Sequence, residues 1–496
     1  MPAECFLWFA ISGLGCGDQA SGPDLVYVFE LASKRPASVR IHLRVAGTDG
    51  PGTMFATQPH WGGIERCGQF VDNLQAFDVA DQRLRVEAVA ENQWQVEHAP
   101  RSLLHLVYEL HPLEQVTDKI RSNHYRPIVR DDLVHLIGET CLLFPVLMDD
   151  ETPRRIEYQW LGFSEAGWDV VSSFGPDPAG KGVQESVQAF RHALFLAGDF
   201  RLYSVDLEGR RLQLALNGRK WGFEDAEFVE MAATIVRTER EFWKDFEDPY
   251  YLISLLQIPK ATPGSISTGG TGLTHSFALF MTPGQSLTPG SPDAFRIQSL
   301  LAHEYFHEWN GGKISAQMPS DLCYWFSEGF TDFYAARLLH RAGLTGAEQW
   351  LETINRWIDE YWKSPARNLC NADIAKAFWT DAATQDQPYR RGALLALIID
   401  WEIRKDSDGA MSLDDWMQEL LENSRAGEKV STDSLLGSIA SFTSEDFAQS
   451  VRAIVVDGCT IEFPADLFLP YLEWAAAPDL ESTAPPRLRL ISEGPF

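Results

Sequence analysis

Short runs rich in β-branched and aromatic residues recur from about Asp24 to Leu212. LVYVFELA, SVRIHLRVAG, RLRVEAVAE and LLHLVYELH are examples, and several alternate apolar with polar positions. Such alternation marks strands with one buried face, and turn-forming stretches such as TDGPG separate the runs. A β-sandwich or saddle-shaped sheet is therefore expected first. The pattern then changes. Residues 223–246 carry apolar positions at helical spacing, with Phe228, Met231, Ile235 and Phe242 near one face. YYLISLLQIP (250–259) reads as a buried strand, and the glycine-rich STGGTGLTHSFALF (267–280) leads into another. From Ser291 the chain turns mostly helical. Ser291-Pro292-Asp293 combines a capping hydroxyl, a proline at the first helical position and an acid in the first turn. That helix should run to about Trp309, where Asn310-Gly311-Gly312 supplies a left-handed stop. Further helices are expected near 325–342, 346–363, 390–405 and 412–423, with a loosely ordered tail from Ala475.

A chain of 496 residues exceeds one ordinary core, so two to four domains are expected. The fold class is α+β. Residues 1–22 stand apart, 23–215 form an N-terminal β domain, 216–290 a small mixed part, 291–475 a helical lobe and 476–496 a tail. With 45% hydrophobic and 23% charged residues the composition is globular. The net charge of −28 disfavours nucleic-acid partners and mildly favours cationic peptides over anionic ones. Seven scattered cysteines without C-x-x-C spacing argue against a disulfide framework or a zinc ribbon. No run reaches the roughly 18 apolar residues that span a bilayer. Phe6 to Gly15 form a short apolar stretch that ends at Cys16, in the manner of a lipoprotein export signal. Glu4 stands where such signals carry a cation. The balance leans toward export, periplasmic or in the cell envelope and lipid-anchored at Cys16, over a cytoplasmic location.

Chemistry concentrates at His303-Glu304-Tyr305-Phe306-His307. Spacing of four places both imidazoles on one helical face, able to bind one ion, with Glu304 beside them. Glu304 can take a proton from water without being a ligand. Alone, this pattern arises by chance in about 2% of chains of this length and composition. Glu328, in Trp325-Phe326-Ser327-Glu328-Gly329-Phe330-Thr331-Asp332, supplies a third ligand. Two histidines and a carboxylate leave a fourth zinc position for water. Asp332, one turn beyond Glu328, is placed to orient a histidine through a hydrogen bond.

HEYFHEWN (303–310) together with WFSEGFTDFY (325–334) resembles the glycyl aminopeptidase family of zinc metallopeptidases, gluzincins related to aminopeptidase N. Trp309 and Asn310 match the family's H-x-W-N extension. PYRRGALLALIIDWEIR (388–404) resembles the segment in which a tyrosine precedes a helix; the matching residue is Tyr389, and the resemblance gives it the oxyanion. HALFLAGDFRLY (192–203) and the N-terminal β region are also similar, so the likeness extends from about residue 24 to 475. It implies a thermolysin-like catalytic domain with one Zn2+ per chain and peptide substrates. It also implies that Gly272, Leu273 and Thr274 line a strand edge where substrate binds. Too little chain follows Ala475 for the C-terminal PDZ module that relatives often carry. One departure stands out: Thr274 occupies the position of the family glutamate that grips a free α-amine. Aminopeptidase action is thus expected, with an endopeptidase, or a peptidase of altered N-terminal recognition, as the alternative. A non-catalytic peptide-binding protein is the alternative of another class. Oligomeric state is not legible.

Overall fold

The computed structural model describes residues 22–111, 124–177, 179–469, 471–476 and 484–492. The stretch read as an export signal lies outside them, apart from Gly22. Among the described residues no helix is long and apolar enough to cross a membrane. The five described cysteines, Cys67, Cys141, Cys323, Cys370 and Cys459, are free thiols.

Two compact units divide the chain. The first holds residues up to Arg201 with Tyr250–Leu252 and Leu273–Ser276, and the second holds the remainder. In the first, a six-stranded sheet runs in the order Lys181–Glu185, Arg154–Leu161, Leu25–Lys34, Ala37–Ala46, Leu103–Leu110, Val71–Phe77. Its pairs are antiparallel except Leu25–Lys34 beside Arg154–Leu161. Two four-stranded sheets complete the unit. Strand Leu103–Leu110 shows why the sequence folds this way. Leu104, Leu106, Tyr108 and Leu110 are buried while the residues between them are not, as the alternation predicts. Aromatic rings fill the core: Tyr27 stacks on Phe190 at 5.3 Å and Phe29 meets Phe195 at 4.7 Å. The buried phenols of Tyr27 and Tyr108 donate to the carbonyls of Leu143 and Cys141, so neither hydroxyl is left without a partner.

A five-stranded sheet, ordered Arg201–Leu207, Arg210–Leu216, Tyr250–Gln257, Ser276–Met281, Thr268–Leu273, belongs for most of its residues to the second unit. Its helices are α1 (Asp225–Trp243), α2 (Pro292–Phe306), α3 (Tyr324–Ser327), α4 (Gly329–Arg341), α5 (Ala347–Lys363), α6 (Asn371–Ala377), α7 (Ala382–Asp406), α8 (Leu413–Arg425), α9 (Thr432–Phe442) and α10 (Glu445–Val456). Sheets first and helices later make this an α+β protein, as the pattern predicts.

Three expectations need correction. Helix α2 begins as expected, with the Ser291 hydroxyl accepting from the Ala294 N–H, but it ends at Phe306, not Trp309. His307 is its C-cap, still in right-handed helical conformation, so the four-residue spacing survives. Second, α7 begins at Ala382, capped by the Asp381 carboxylate, and Pro388 lies inside it. Tyr389 therefore sits within the helix and does not precede it. Proline reads as a start signal because it suits the first turn; here the Asp381 cap starts the helix earlier. Third, the tail is partly pinned: Arg487–Leu490 pairs with Leu472–Ala476, and Asn355 holds Leu488 by both backbone groups.

Candidate metal centre

Helix α2 is fixed by what it packs against. Phe306 stacks on Tyr334 of α4 at 5.2 Å and lies 5.1 Å from Trp243 of α1. Tyr305, fully buried, accepts from the Arg240 Nε. This apolar and aromatic bed turns the opposite face of α2, with His303 and Glu304, away from the core.

The segment after the helix is built to hold His307. Trp309 is buried and donates through its indole N–H to Asp245, which also pairs with Lys313. Asn310, also buried, donates from its amide to the carbonyls of Phe326 and Ser327 and to the Thr331 hydroxyl. It thereby ties the first motif to the second. Its backbone carbonyl accepts from His307 Nδ1 at 2.8 Å. The Trp-Asn extension thus acts as a clamp, a role that no local sequence pattern reveals.

Glu328 lies at the junction of α3 and α4 in helical conformation. Here α7 must come close. A Cβ on Gly392 would fall 1.9 Å from the Trp325 carbonyl oxygen, and one on Gly329 would meet the Gly392 backbone at 2.3 Å. Paired glycines let the helices touch backbone to backbone, which brings Tyr389 to the site. Its ring lies 6.1 Å from that of His303, tilted by 24°.

His303, His307 and Glu328 converge. Their Nε2, Nε2 and Oε2 atoms are separated by 3.1 Å between the histidines and by 3.4 and 3.5 Å from each histidine to the glutamate. Bonds of about 2.0–2.2 Å at tetrahedral angles would set donors roughly 3.3–3.6 Å apart, so this triangle fits one zinc. Both histidines are in the right tautomer for it. Each gives its Nδ1–H to an oxygen, Asp332 Oδ1 at 2.9 Å for His303 and the Asn310 carbonyl for His307. Nε2 is left as the donor atom. These three form the one group of three or more potential metal-ligating side chains found among the described residues.

Charge at the site is arranged for a cation. Burial would push His303 down, but its bonds to Asp332 and Glu328 outweigh burial and hold it well above the usual histidine value. His307 is raised in the same way, against burial, by Glu328. Burial would lift Glu328, yet the two imidazoles hold its carboxyl far below the usual carboxylate range. Tyr389 is pushed far up, first by burial and then by Glu328 and Asp332. It remains a proton-bearing donor.

Glu304 Oε2 accepts from the Gly272 N–H at 2.8 Å. A Cβ at 272 would stand 3.2 Å from that oxygen, so glycine permits the approach. Leu273 is buried. Thr274 is held in the first unit, where its hydroxyl donates to the Ala189 carbonyl and its N–H to the His192 carbonyl, both at 2.8 Å. The sequence reading missed Arg390, which binds Asp332, and Glu239, a buried acid of α1.

The model of the M61 glycyl aminopeptidase matches residues 296–394, and that of the peptidase M61 N-terminal domain matches residues 63–192. A probable aminopeptidase 1 of Saccharolobus solfataricus is 30% identical over 105 residues, 21% of this chain and 13% of the relative. The glutamyl aminopeptidase of Mus musculus is 28% identical over 111 residues, 22% of this chain and 11% of the relative. The matched stretch thus spans only a small part of these curated relatives. Among solved structures, an aminopeptidase N family protein from Idiomarina loihiensis has a TM-score of 0.76 at 17% identity, over 91% of this chain and 79% of that one. An M1 zinc metallopeptidase mutant from Deinococcus radiodurans, bound to a Tyr-Ser-Ala substrate, has a TM-score of 0.56 at 14% identity, over 89% and 95%. At such identities these likenesses concern the fold. Its N-terminal and helical regions are thus each matched by a model of the same family, and the chain is similar to the M61 glycyl aminopeptidases, peptidases of the gluzincin type.

Proposed function

We propose that this protein is a zinc-dependent peptidase that removes residues from the N-terminus of peptides, with His303, His307 and Glu328 as the metal ligands. The observation that carries this is the donor triangle with sides of 3.1–3.5 Å, both histidines tautomerically set, beside an acid that is not part of it. One zinc per chain would supply Lewis acidity to a water and to the scissile carbonyl. Glu304 takes the proton of the attacking water and later gives it to the leaving amine. The Gly272 N–H keeps the Glu304 carboxylate aimed while it does so. Tyr389 donates its phenolic hydrogen bond to the oxyanion, a contribution of about 3 kcal/mol for one such donor. Asp332 holds His303 in the required tautomer. The likeness to the family's model and the peptide bound to the Deinococcus neighbour support the substrate class.

A second reading has its own support. The Thr274 hydroxyl is engaged with Ala189, and a hydroxyl carries no charge for an α-ammonium. Recognition of the free N-terminus is then weak, and longer or blocked peptides are accepted. Matched peptides with free and acetylated N-termini decide between the two. A strict aminopeptidase rejects the acetylated set by several orders of magnitude. Under the second reading both sets are cut at comparable kcat/KM, and Thr274→Glu shifts preference to the free amine. If neither set is cut by protein that carries zinc, peptide hydrolysis is wrong.

A further inference from the structure

Beyond the residues of the hydrolytic centre, a charged chain leads away from it through three helices. The Asp332 carboxylate has two oxygens with different tasks. Oδ1 accepts from His303 Nδ1 at 2.9 Å, and Oδ2 accepts from Arg390 Nη1 at 2.9 Å. Arg390 in turn forms an ion pair with the Glu360 carboxylate of α5, a charge contact at Nε without a hydrogen bond. Both Arg390 and Asp332 are largely withdrawn from solvent, with side chains 26% and 21% exposed, and Glu360 is 40% exposed. An ion pair this far from bulk water is screened less than a surface pair. The hydrogen bond from Nη1 sets the orientation of the planar guanidinium, and the Glu360 charge on its other side helps to hold it in place.

A carboxylate held at one oxygen alone can rotate about its χ2 bond and lose alignment with the imidazole. Held at both, it presents Oδ1 to His303 in one geometry. We propose that Arg390 is a positioning residue of the metal centre. It acts through Asp332 to fix the ring of His303, and Glu360 holds the guanidinium in place for that task. Arg390 also directly follows Tyr389 in α7, so the same ion pair ties the phenol-bearing turn to α4, whose Asp332 holds His303. The inference rests on the metal reading given above, and its test separates the two.

The experiment measures zinc dissociation constants of the full chain by competition with a chromophoric chelator. Wild type, R390M, R390K, E360Q, D332N and the double variant R390M/D332N are compared, with circular dichroism to confirm folding. Loss of a group that orients a metal-binding histidine typically weakens the metal about 10–100-fold. D332N should fall in that range. R390M should weaken zinc about 10-fold, E360Q a few-fold, and R390K should recover part of the loss because it keeps the charge. The double variant should bind no worse than D332N, within about 2-fold, because Arg390 has no route to the metal once Asp332 is disabled. If R390M binds zinc like wild type, or if its loss multiplies with that of D332N, the relay through Asp332 is overturned. Should R390M not fold, R390K and E360Q in the presence and absence of D332N carry the same comparison. Wild type that binds no zinc overturns the metal reading itself, a result distinct from any of these.

Discussion

The two histidines of one motif are held by unlike partners. His303 gives its Nδ1–H to a carboxylate that belongs to a charged chain, Asp332, Arg390 and Glu360. His307 gives its Nδ1–H to a backbone carbonyl, that of Asn310, whose own side chain is clamped by three acceptors. The first arrangement adds negative charge to the ring and increases its basicity. The second orients the ring with a neutral dipole. One flank of the centre is therefore electrostatic and adjustable, and the other is geometric. Variants should separate the flanks.

The largest effects come from removing the shared parts. His303→Ala and His307→Ala should each abolish the roughly one zinc per chain expected of wild type in elemental analysis, because two ligands do not hold the ion. Glu304→Gln should keep that zinc and still lower turnover about 10²–10⁴-fold, since the amide cannot take the proton. Full metal in His303→Ala, or near-normal turnover in Glu304→Gln, would overturn the assignment.

Acid is the next probe. Both histidines have raised values in the metal-free protein. Their protonation stabilises that form fully below the unfolded histidine value of about 6.5 and is lost as pH rises through the raised folded values. Zinc needs both rings neutral, so its affinity should climb across the same interval above about 6.5 while this contribution to metal-free stability declines. Asp332→Asn should reduce the His303 share of that dependence and leave the His307 share in place. Chelator competition at several pH values reads this directly, and an affinity that does not change with pH would contradict it.

The geometric flank should respond in stability more than in charge. Asn310→Ala leaves the Phe326 and Ser327 carbonyls without their amide partner in a buried place, at a cost of about 1–3 kcal/mol. Denaturant unfolding measures it. The slope of zinc affinity against pH should stay as in wild type, because no charge near His307 has changed. If Asn310→Ala alters that slope as strongly as Asp332→Asn, the distinction between the flanks is lost.

Legibility in sequence followed the range of each interaction. The proposed ligands were readable because helical spacing places His303 with His307 and Glu328 with Asp332 over one turn. The β-rich first unit was readable because strand alternation is local, as in Leu103–Leu110. Arg390 was not, since its partner Asp332 lies 58 residues away and nothing local distinguishes it from a surface arginine. The extent of α7 was obscured by Pro388, which local rules place at a helix start. Gly392 likewise looks like a helix-weakening residue until Trp325 is seen against it.

Glu239 offers the smallest and most specific test of the electrostatic flank. It is an acid of α1, fully buried, and neither carboxylate oxygen has a hydrogen-bond partner. Burial raises its carboxyl well above the usual value, against an opposing pull from His303. Asp332 is a paired acid bonded to that histidine, whereas Glu239 is an unpaired acid that feels its charge. Below the unfolded glutamate value of about 4.3, folded and unfolded chains both carry the proton and the residue adds no pH dependence. As pH rises above that, the unfolded chain ionises while the folded chain keeps its proton, and stability falls until the raised folded value is reached. Glu239→Gln preserves shape and neutrality and removes this loss. In the metal-free protein its melting temperature should match wild type near pH 4 and exceed it near pH 7. Asp332→Asn, which removes an acid paired with both His303 and Arg390, should instead lower the melting temperature near pH 7. If Glu239→Gln is destabilised to the same extent at both pH values, the carboxyl is serving as a packed hydrogen-bonding group, and the contrast between a paired and an unpaired acid at His303 fails.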